Sequence, residues 1–520
     1  MRPLNNKTKE VVEMPKNLNT YLGQKGYTLL KSELTIKQQT YIKEQLTVKP
    51  YVPGSPVQLE KSFPAYRESD KKLYIPRYYG DEIFGPASQY KLTEGVNIDI
   101  KFEGTLRPEQ EPVVSTFLHH VQSGGGGLLE LPCGFGKTSI SLYIWSILKE
   151  KGIVIVHKEF LMNQWIERIQ QFLPTAKIGK IQGQIIDIEG KDIVLCMLQS
   201  LSMKDYPASL FDSFGLTIID EVHHISSEVF SNALFKVVTK YTLGLSATMN
   251  RSDGTSKVFK MFLGPVVYKQ ERSKDEKVIV RGITFQTNDE EYNELLLDFR
   301  GKPASSKMLS KICEYNRRTE FILSVLKDML AENPKQQIMV IASYKNILQY
   351  IFDAITHRNM ATVGFYVGGM KEKALKISES KQVVLATFAM ASEGLDIKTL
   401  STLFMVTPMT KIEQSVGRIL RQKHEFNPVV VDIIDMHANF QRQWLKRKTF
   451  YKSQNYKIIQ TTSTAYNPDP AKWKVVYEPT DQTPKKMDKK ELKDESSDDS
   501  DSEEEEETKN AGKCLLKFKK

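Results

Sequence analysis

From about residue 105 the chain alternates short, continuous apolar runs with longer amphipathic stretches, and few folds accommodate that rhythm. GLLELP, IVIVH, DIVLCM, LTIIDE and YTLGLSAT are separated by stretches such as TSISLYIWSILKE and FLMNQWIERIQQFL. A strand that is apolar at consecutive positions must be covered on both faces, and intervening helices supply that cover. The pattern therefore predicts a parallel sheet with helices on either side. It weakens around 268–300 and restarts with IMVIAS, TVGFYV, VVLATF, TLFMVT and VVVDII. Two tandem α/β units of about 150 residues each are expected.

Punctuation and charge divide the rest. Residues 1–98 are polar and Tyr-rich, with KPYVPGSP and YIPRYYGDEIFGP, and read as a small N-terminal α+β accessory module. The first α/β unit spans 99–270, a linker 271–300, the second unit 301–460, and an extension 461–480. Residues 481–520 form a Lys/Asp/Glu/Ser-rich tail, expected to be disordered. The formal charge of +10 conceals a segregation, because residues 494–507 (DESSDDSDSEEEEE) carry ten carboxylates and no base. The other 506 residues carry +20, which suggests a polyanionic partner. Four cysteines (133, 196, 313 and 514) are too scattered for a disulfide framework or a zinc ribbon, so a reducing, intracellular setting is the default. No apolar run approaches the ~18 residues that span a bilayer, and the N-terminus has no secretory h-region. A membrane or secreted protein is not expected.

Two motifs carry chemistry. Residues 128–138, LLELPCGFGKT, run from an apolar strand through Gly134 and Gly136 to Lys137 and Thr138, and a helix follows. Glycines let backbone amides turn onto phosphate oxygens, and the helix N-terminus adds its dipole. Lys137 would reach the β- and γ-phosphates of ATP, and the Thr138 hydroxyl would ligate Mg²⁺. Phe135 and Ser139 complete the candidate ATP-contacting stretch. The general phosphate-loop pattern begins with a glycine where this chain has Leu131. About 80 residues later, LTIIDEVHH ends a strand in Asp220 and Glu221, at the edge where α/β sheets place ligands. Asp220 would hold Mg²⁺ through water, and Glu221 would orient and deprotonate the attacking water. His223 and His224 have no further Cys or His at ligand spacing, so coupling or structure suits them better than metal binding.

GKT, DEVH, LSAT (245–248) and QSVGRILR (414–421) occur in this order on the two units. Over about residues 100–450 the chain resembles a superfamily 2 helicase or translocase of the DExH type. That resemblance implies two RecA-like domains and an ATP hydrolase using ATP and Mg²⁺. Gln110 in LRPEQ resembles the adenine-reading glutamine. His223, Ser246, Ala247 and Thr248 would couple hydrolysis to movement, as would Thr387, Glu393, Gly394 and Asp396 of ATFAMASEGLDI. Gln414, Arg418 and Arg421 resemble the last helicase motif, whose arginines act on the γ-phosphate as the domains close. NQW (163–165), DEVH and LSATMNRSDG resemble the XPB-like branch, which acts on duplex DNA. LYIPRYYG (73–80) and HANFQRQWLKRKTFYKSQNY (437–456) resemble helicases of nucleocytoplasmic large DNA viruses, including the poxvirus transcript-release helicase type. Where XPB-type proteins carry Arg-Glu-Asp, this chain has Arg251-Ser252-Asp253.

For nucleic-acid contact, residues 436–460 interleave cations with aromatics and contain no acid. Arg442, Trp444, Lys446, Arg447, Lys448 and Tyr451 are the candidates, the cations for phosphates and the rings for stacking. An aromatic face packed on the second unit is an equal reading, and both can hold together. Duplex DNA is the favoured partner, with RNA the alternative, and a monomeric motor is expected. If the chain is viral, host cytoplasm or nucleus is the expected setting, with packaging in the virion also open. Ser496, Ser497, Ser500 and Ser502 sit in an acidic context suited to acidophilic kinases, and KCLLKFKK (513–520) suggests a docking motif for a transcription-machinery protein. Three functions follow: a DNA translocase or helicase in viral transcription or replication, an RNA helicase acting on transcripts, or a non-hydrolysing scaffold.

Overall fold

The computed structural model describes residues 12–479, apart from 16, 51–61, 225–226, 250–253, 272–276, 300 and 394–396. The Arg251-Ser252-Asp253 element, Gly394, Asp396 and the acidic tail thus lie outside the described residues. The chain forms two compact units, Met1–Glu271 and Arg272–Lys520.

In the first unit an eight-stranded sheet runs in the order Ile185–Asp187, Ile178–Gln182, Ile193–Met197, Gly152–Val156, Leu216–Ile219, Tyr241–Ser246, Gly126–Glu130, Val266–Lys269. All neighbours are parallel except the edge pair Ile178–Gln182 with Ile185–Asp187. Its central strands are apolar at consecutive positions because each face has its own core. Ile153 and Ile155 pack into one, and Val154 and Val156 into the other.

The N-terminal residues belong to the same unit and form their own five-stranded sheet, ordered Arg67–Glu68, Lys72–Ile75, Gly26–Leu30, Tyr21–Gly23, Gln89–Tyr90. Tyr27, Leu29, Leu73 and Ile75 bury its inner face together with Ile42 and Tyr79 from the helices Ile36–Gln45 and Arg77–Phe84. The LYIPRYYG stretch ties this sheet to the larger one. Arg77 Nη1 donates to the Lys240 carbonyl at 2.9 Å, and the Tyr78 and Thr242 hydroxyls are 3.1 Å apart.

The second unit holds another eight-stranded sheet, ordered Val363–Tyr366, Val383–Thr387, Gln337–Ala342, Leu400–Met405, Val429–Asp435, Ile279–Phe285, Lys457–Thr462, Lys474–Tyr477. Only the last strand is antiparallel to its neighbour. Helices cover it with 3.6-period stripes; Lys345–His357 buries Ile347, Leu348, Ile351 and Ile355.

The expected linker is corrected here. Ile279–Phe285 is an internal strand, paired from Ile279↔Val429 to Phe285↔Asp435 on one side and with Lys457–Thr462 on the other. Arg281 and Gly282 interrupt its apolar pattern, and Arg281 is accommodated by two bonds to Glu332 at 2.6 and 2.7 Å. The expected extension 461–480 likewise supplies the edge strand Lys474–Tyr477 and the buried Trp473.

Candidate nucleotide site

Parallel pairing brings three strand ends together in the first unit. Glu130 is opposite Ser246, and Ile219 is opposite Gly244, so the loops after Gly126–Glu130, Leu216–Ile219 and Tyr241–Ser246 leave the same sheet edge side by side. Residues far apart in sequence, Lys137, Asp220, Glu221 and Ser246, gather there for that reason.

The loop after Glu130 turns through Gly134 (φ 81°) and Gly136 (φ 88°) into the helix Lys137–Leu148. Among the described residues no side chain caps that helix, so its first amides remain available to a phosphate. Gly136 also meets a close neighbour, because a Cβ there would lie 2.4 Å from Gln110 Nε2. Gln110 is buried, donates to the Phe135 carbonyl at 2.7 Å and accepts from Arg107 N at 2.9 Å. Arg107 Nη2 reaches the same carbonyl at 2.5 Å. Gln110, expected to read adenine, also holds the phosphate loop, and Arg107 is a second clamp that the sequence reading missed.

Lys137 Nζ bonds Glu221 Oε1 at 2.7 Å. Burial disfavours the ammonium, yet the charges of Glu221, Cys133 and Asp220 outweigh it and raise the lysine pKa. The carboxylate thus favours the charged lysine, and an arriving phosphate can take Glu221's place on Lys137. Glu221 has φ 50°, a left-handed conformation costing a non-glycine residue about 1–3 kcal/mol, of the kind that gathers at functional sites. Asp220 is anchored twice, by Trp165 Nε1 at 2.9 Å and by the Glu221 amide at 3.0 Å. Burial, and then the charge of Glu221, raises the Asp220 pKa, while Lys137 and the Trp165 bond oppose the rise. Trp165 lies fully buried on the helix Glu159–Phe172. Its sequence signal was its place in NQW (163–165), with nothing to indicate a carboxylate partner. Thr138 and Ser139, next to Lys137 in the first helical turn, are both partly accessible.

A relay leads away from Glu221. His223 Nδ1 is 3.5 Å from Glu221 Oε2 and 2.6 Å from Ser246 Oγ. Ser246 donates to the Thr248 carbonyl at 2.5 Å, so its single proton is committed and His223 Nδ1 must be the donor in their bond. The Thr248 amide returns a bond to Ser246 Oγ at 3.2 Å, closing the turn around Ala247. The imidazole thus stands between the DE carboxylate, 3.5 Å away, and the SAT turn to which it is bonded.

In the second unit Thr387 ends a strand and leads into the helix Phe388–Glu393. The helix Glu413–Arg418 is bonded to it through Arg418 Nε and the Ala391 carbonyl at 2.8 Å. Arg418 is 6% exposed; Gln414 and Arg421 are partly accessible. Both arginines act on Tyr366, whose phenol is nonetheless raised by burial.

Half of the nucleic-acid candidates are corrected. Trp444, Arg447 and Tyr451 face inward from the helix Ala438–Ser453. Arg447 makes a bidentate pair with Asp432 at 2.7 and 2.8 Å and donates to the Met409 carbonyl at 2.7 Å. Tyr451 Oη donates to the same carboxylate at 3.1 Å. A buried arginine so fully engaged cannot hold a phosphate. Arg442 and Lys446 are exposed, and Lys448 is half-buried, its pKa lowered by burial and by Lys452 and Lys474.

A phosphate loop facing an Asp-Glu strand end, with a relay into an SAT turn and a second parallel-sheet unit, defines an ATP-hydrolysing motor of the helicase class. The model of the family described as "Type III restriction enzyme, res subunit" matches residues 103–251. The mimivirus protein named "Putative ATP-dependent RNA helicase L396", from Acanthamoeba polyphaga mimivirus, is 36% identical over 458 residues, covering 86% of this chain and 87% of its own. The invertebrate iridescent virus 6 protein named "Putative helicase 161L" is 26% identical over 386 residues, 69% of this chain and 85% of its own. Among solved structures, S. cerevisiae Dbp5 bound to RNA and ADP BeF3 matches 68% of this chain and 89% of its own at 11% identity, with a TM-score of 0.49. The chain belongs to the family of the mimivirus protein, that of viral superfamily 2 helicases. It is an ATP-hydrolysing helicase.

Proposed function

We propose that the chain is a nucleic-acid-stimulated, Mg²⁺-dependent ATPase that translocates on duplex DNA during viral transcription or replication. The observation that supports this best is the Lys137–Glu221 pair at 2.7 Å, set between the phosphate loop and Asp220. Lys137 and the uncapped helix amides bind the phosphates, while Arg107 and Gln110 hold the loop in shape through Phe135. Displaced from Lys137, Glu221 can accept a proton from water. Thr138 and Asp220 form an oxygen donor set that suits Mg²⁺, and the ion, when bound, neutralises charge on the phosphate oxygens. The guanidinium role on the transferred phosphoryl group falls to Arg418 and Arg421, with Gln414 beside them. Arg442 and Lys446 are the candidates for backbone contact in the second unit.

ATP turnover should be measured with duplex DNA, single-stranded DNA and RNA, and strand displacement on duplexes with 3′ or 5′ overhangs. Stimulation by RNA alone would replace the DNA reading with that of an RNA helicase, a reading favoured by the name of the mimivirus relative. Unchanged turnover in Lys137→Ala and Glu221→Gln would remove the assigned chemistry.

A further inference from the structure

The N-terminal sheet has two unlike faces. Its inner face is the apolar core around Tyr27, Leu29, Leu73 and Ile75. Register assigns the outer face: Arg67 is opposite Tyr74, Tyr74 opposite Thr28, Thr28 opposite Tyr21, and Tyr21 opposite Gln89. Lys72, two residues from Tyr74, shares that face. The strand positions of this face carry no carboxylate, and Asp70 and Lys71 in the adjoining turn offset each other. One end of the row is tied to the motor body, where Arg67 bonds Asn232 and lies over the Phe235 ring at 5.3 Å. The other end is accessible, with Lys25 and Lys91 exposed and Tyr21, Lys72 and Tyr74 partly so.

Cations and rings interleave at that end. The Lys91 ammonium is 4.4 Å from the centre of the Tyr21 ring, Lys72 is 5.2 Å from it, and Lys25 is 5.3 Å from that of Tyr74. Lys72 Nζ also bonds the Tyr21 hydroxyl at 3.0 Å. Burial works to raise the Tyr21 phenol, yet bonds to Lys72 and Thr28 and the charges of Lys72 and Lys91 bring it below its ordinary value. Three ammonium groups therefore concentrate positive potential over two tyrosines, on a face whose strand positions hold no acid to balance them.

We propose that this face is a second nucleic-acid contact, in which Lys25, Lys72 and Lys91 bind backbone phosphates while Tyr21 and Tyr74 lie against sugars and bases. The proposal rests on the helicase reading and adds a grip outside the nucleotide-driven units. Phosphate contacts carry no sequence information, so this surface binds without sequence preference.

The test is fluorescence anisotropy on the full chain without nucleotide, using labelled single-stranded DNA, duplex DNA and RNA over a range of salt. Lys25→Gln/Lys72→Gln/Lys91→Gln should weaken binding roughly fivefold for each phosphate ligand removed, at physiological ionic strength. The plot of log affinity against log salt should flatten by about 0.7–0.9 for each lysine neutralised. Basal ATP turnover should not change, because none of the three lies in the nucleotide site. Lys91→Gln alone, at an exposed position, should show its own share of the weakening. Equal affinity and equal salt slope in the wild type and triple variant would overturn the surface assignment alone. A wild-type chain that binds none of the three polymers would overturn the helicase reading with it.

Discussion

Trp165→Phe isolates one bond at the nucleotide site. The substitution keeps an aromatic ring in the core but deletes the indole N–H that donates to Asp220 Oδ2 at 2.9 Å. Asp220 is buried, and its remaining bond is from the Glu221 amide at 3.0 Å. A hydrogen bond to a buried charged group contributes about 1.5–3 kcal/mol. The sign follows from the causes at Asp220. Burial and Glu221 raise its pKa, and the Trp165 bond opposes that rise by favouring the carboxylate. Without it the pKa rises further, so the active, ionised form is reached only at higher pH. The acidic limb of kcat/KM for ATP should move toward higher pH, with turnover on that limb lower by between about tenfold and about a hundredfold. Well above the limb, turnover should approach that of the wild type. The assay is a steady-state ATPase pH profile with saturating nucleic acid, alongside thermal denaturation. A loss that is uniform with pH would refute the argument, because it would mean that Trp165 only fills space. An unmoved limb would show that Asp220 ionisation does not depend on the indole.

Three further outcomes follow from named bonds and distances. Gly136→Ala should abolish nucleotide binding by equilibrium dialysis, because φ is 88° and the added Cβ would sit 2.4 Å from Gln110 Nε2; normal affinity would show that the loop reshapes freely. His223→Ala should leave ATP turnover within a few-fold of wild type while reducing strand displacement roughly tenfold or more, and equal loss of both activities would place His223 in the chemistry instead. Arg447→Met alone should destabilise the protein by about 3–5 kcal/mol in urea denaturation by stranding the Asp432 charge, whereas Arg447→Met with Asp432→Leu should recover most of it.

The parts of the site that read directly from sequence share one property: their chemistry is local to a strand end. Gly134, Gly136, Lys137 and Thr138 are consecutive enough to specify a phosphate loop, and Asp220 and Glu221 sit where a strand must stop. The parallel pairing that joins them follows from the apolar rhythm. What was not legible depends on partners far along the chain. Arg447 looked like a phosphate ligand because its partner, Asp432, is hidden in VVVDII, a run that reads as plain strand. Trp165 and Asp220 are 55 residues apart, and neither indicates the other. Ile279–Phe285 was obscured for a related reason, since a central strand containing Arg281 is tolerated only once Glu332 is beside it.

The same strand that hides Asp432 also shows why charge is buried in the second unit. Side chains alternate along Val429–Asp435, so Asp432 and Asp435, three residues apart, face opposite sides of the sheet. Asp432 takes Arg447 from the helix Ala438–Ser453. Asp435 takes Arg318 from the helix Asn316–Glu332, at 2.6 and 2.8 Å, together with the Tyr292 hydroxyl at 2.5 Å. Each arginine then spends a remaining donor on the same stretch of backbone: Arg318 on the Val406 carbonyl at 2.9 Å, and Arg447 on the Met409 carbonyl at 2.7 Å. That stretch leads directly into Glu413–Arg418, the helix carrying Gln414 and Arg418, with Arg421 just beyond. A desolvated ion pair is weak support for stability in itself, since apolar residues of equal volume often do as well. Two such pairs clamping one loop from opposite faces are better explained by position. They fix where the QSVGR helix begins, and the phosphate role proposed for Arg418 and Arg421 requires that origin to be fixed. Arg447, removed from the nucleic-acid surface by its burial, is on that proposal a positioning residue.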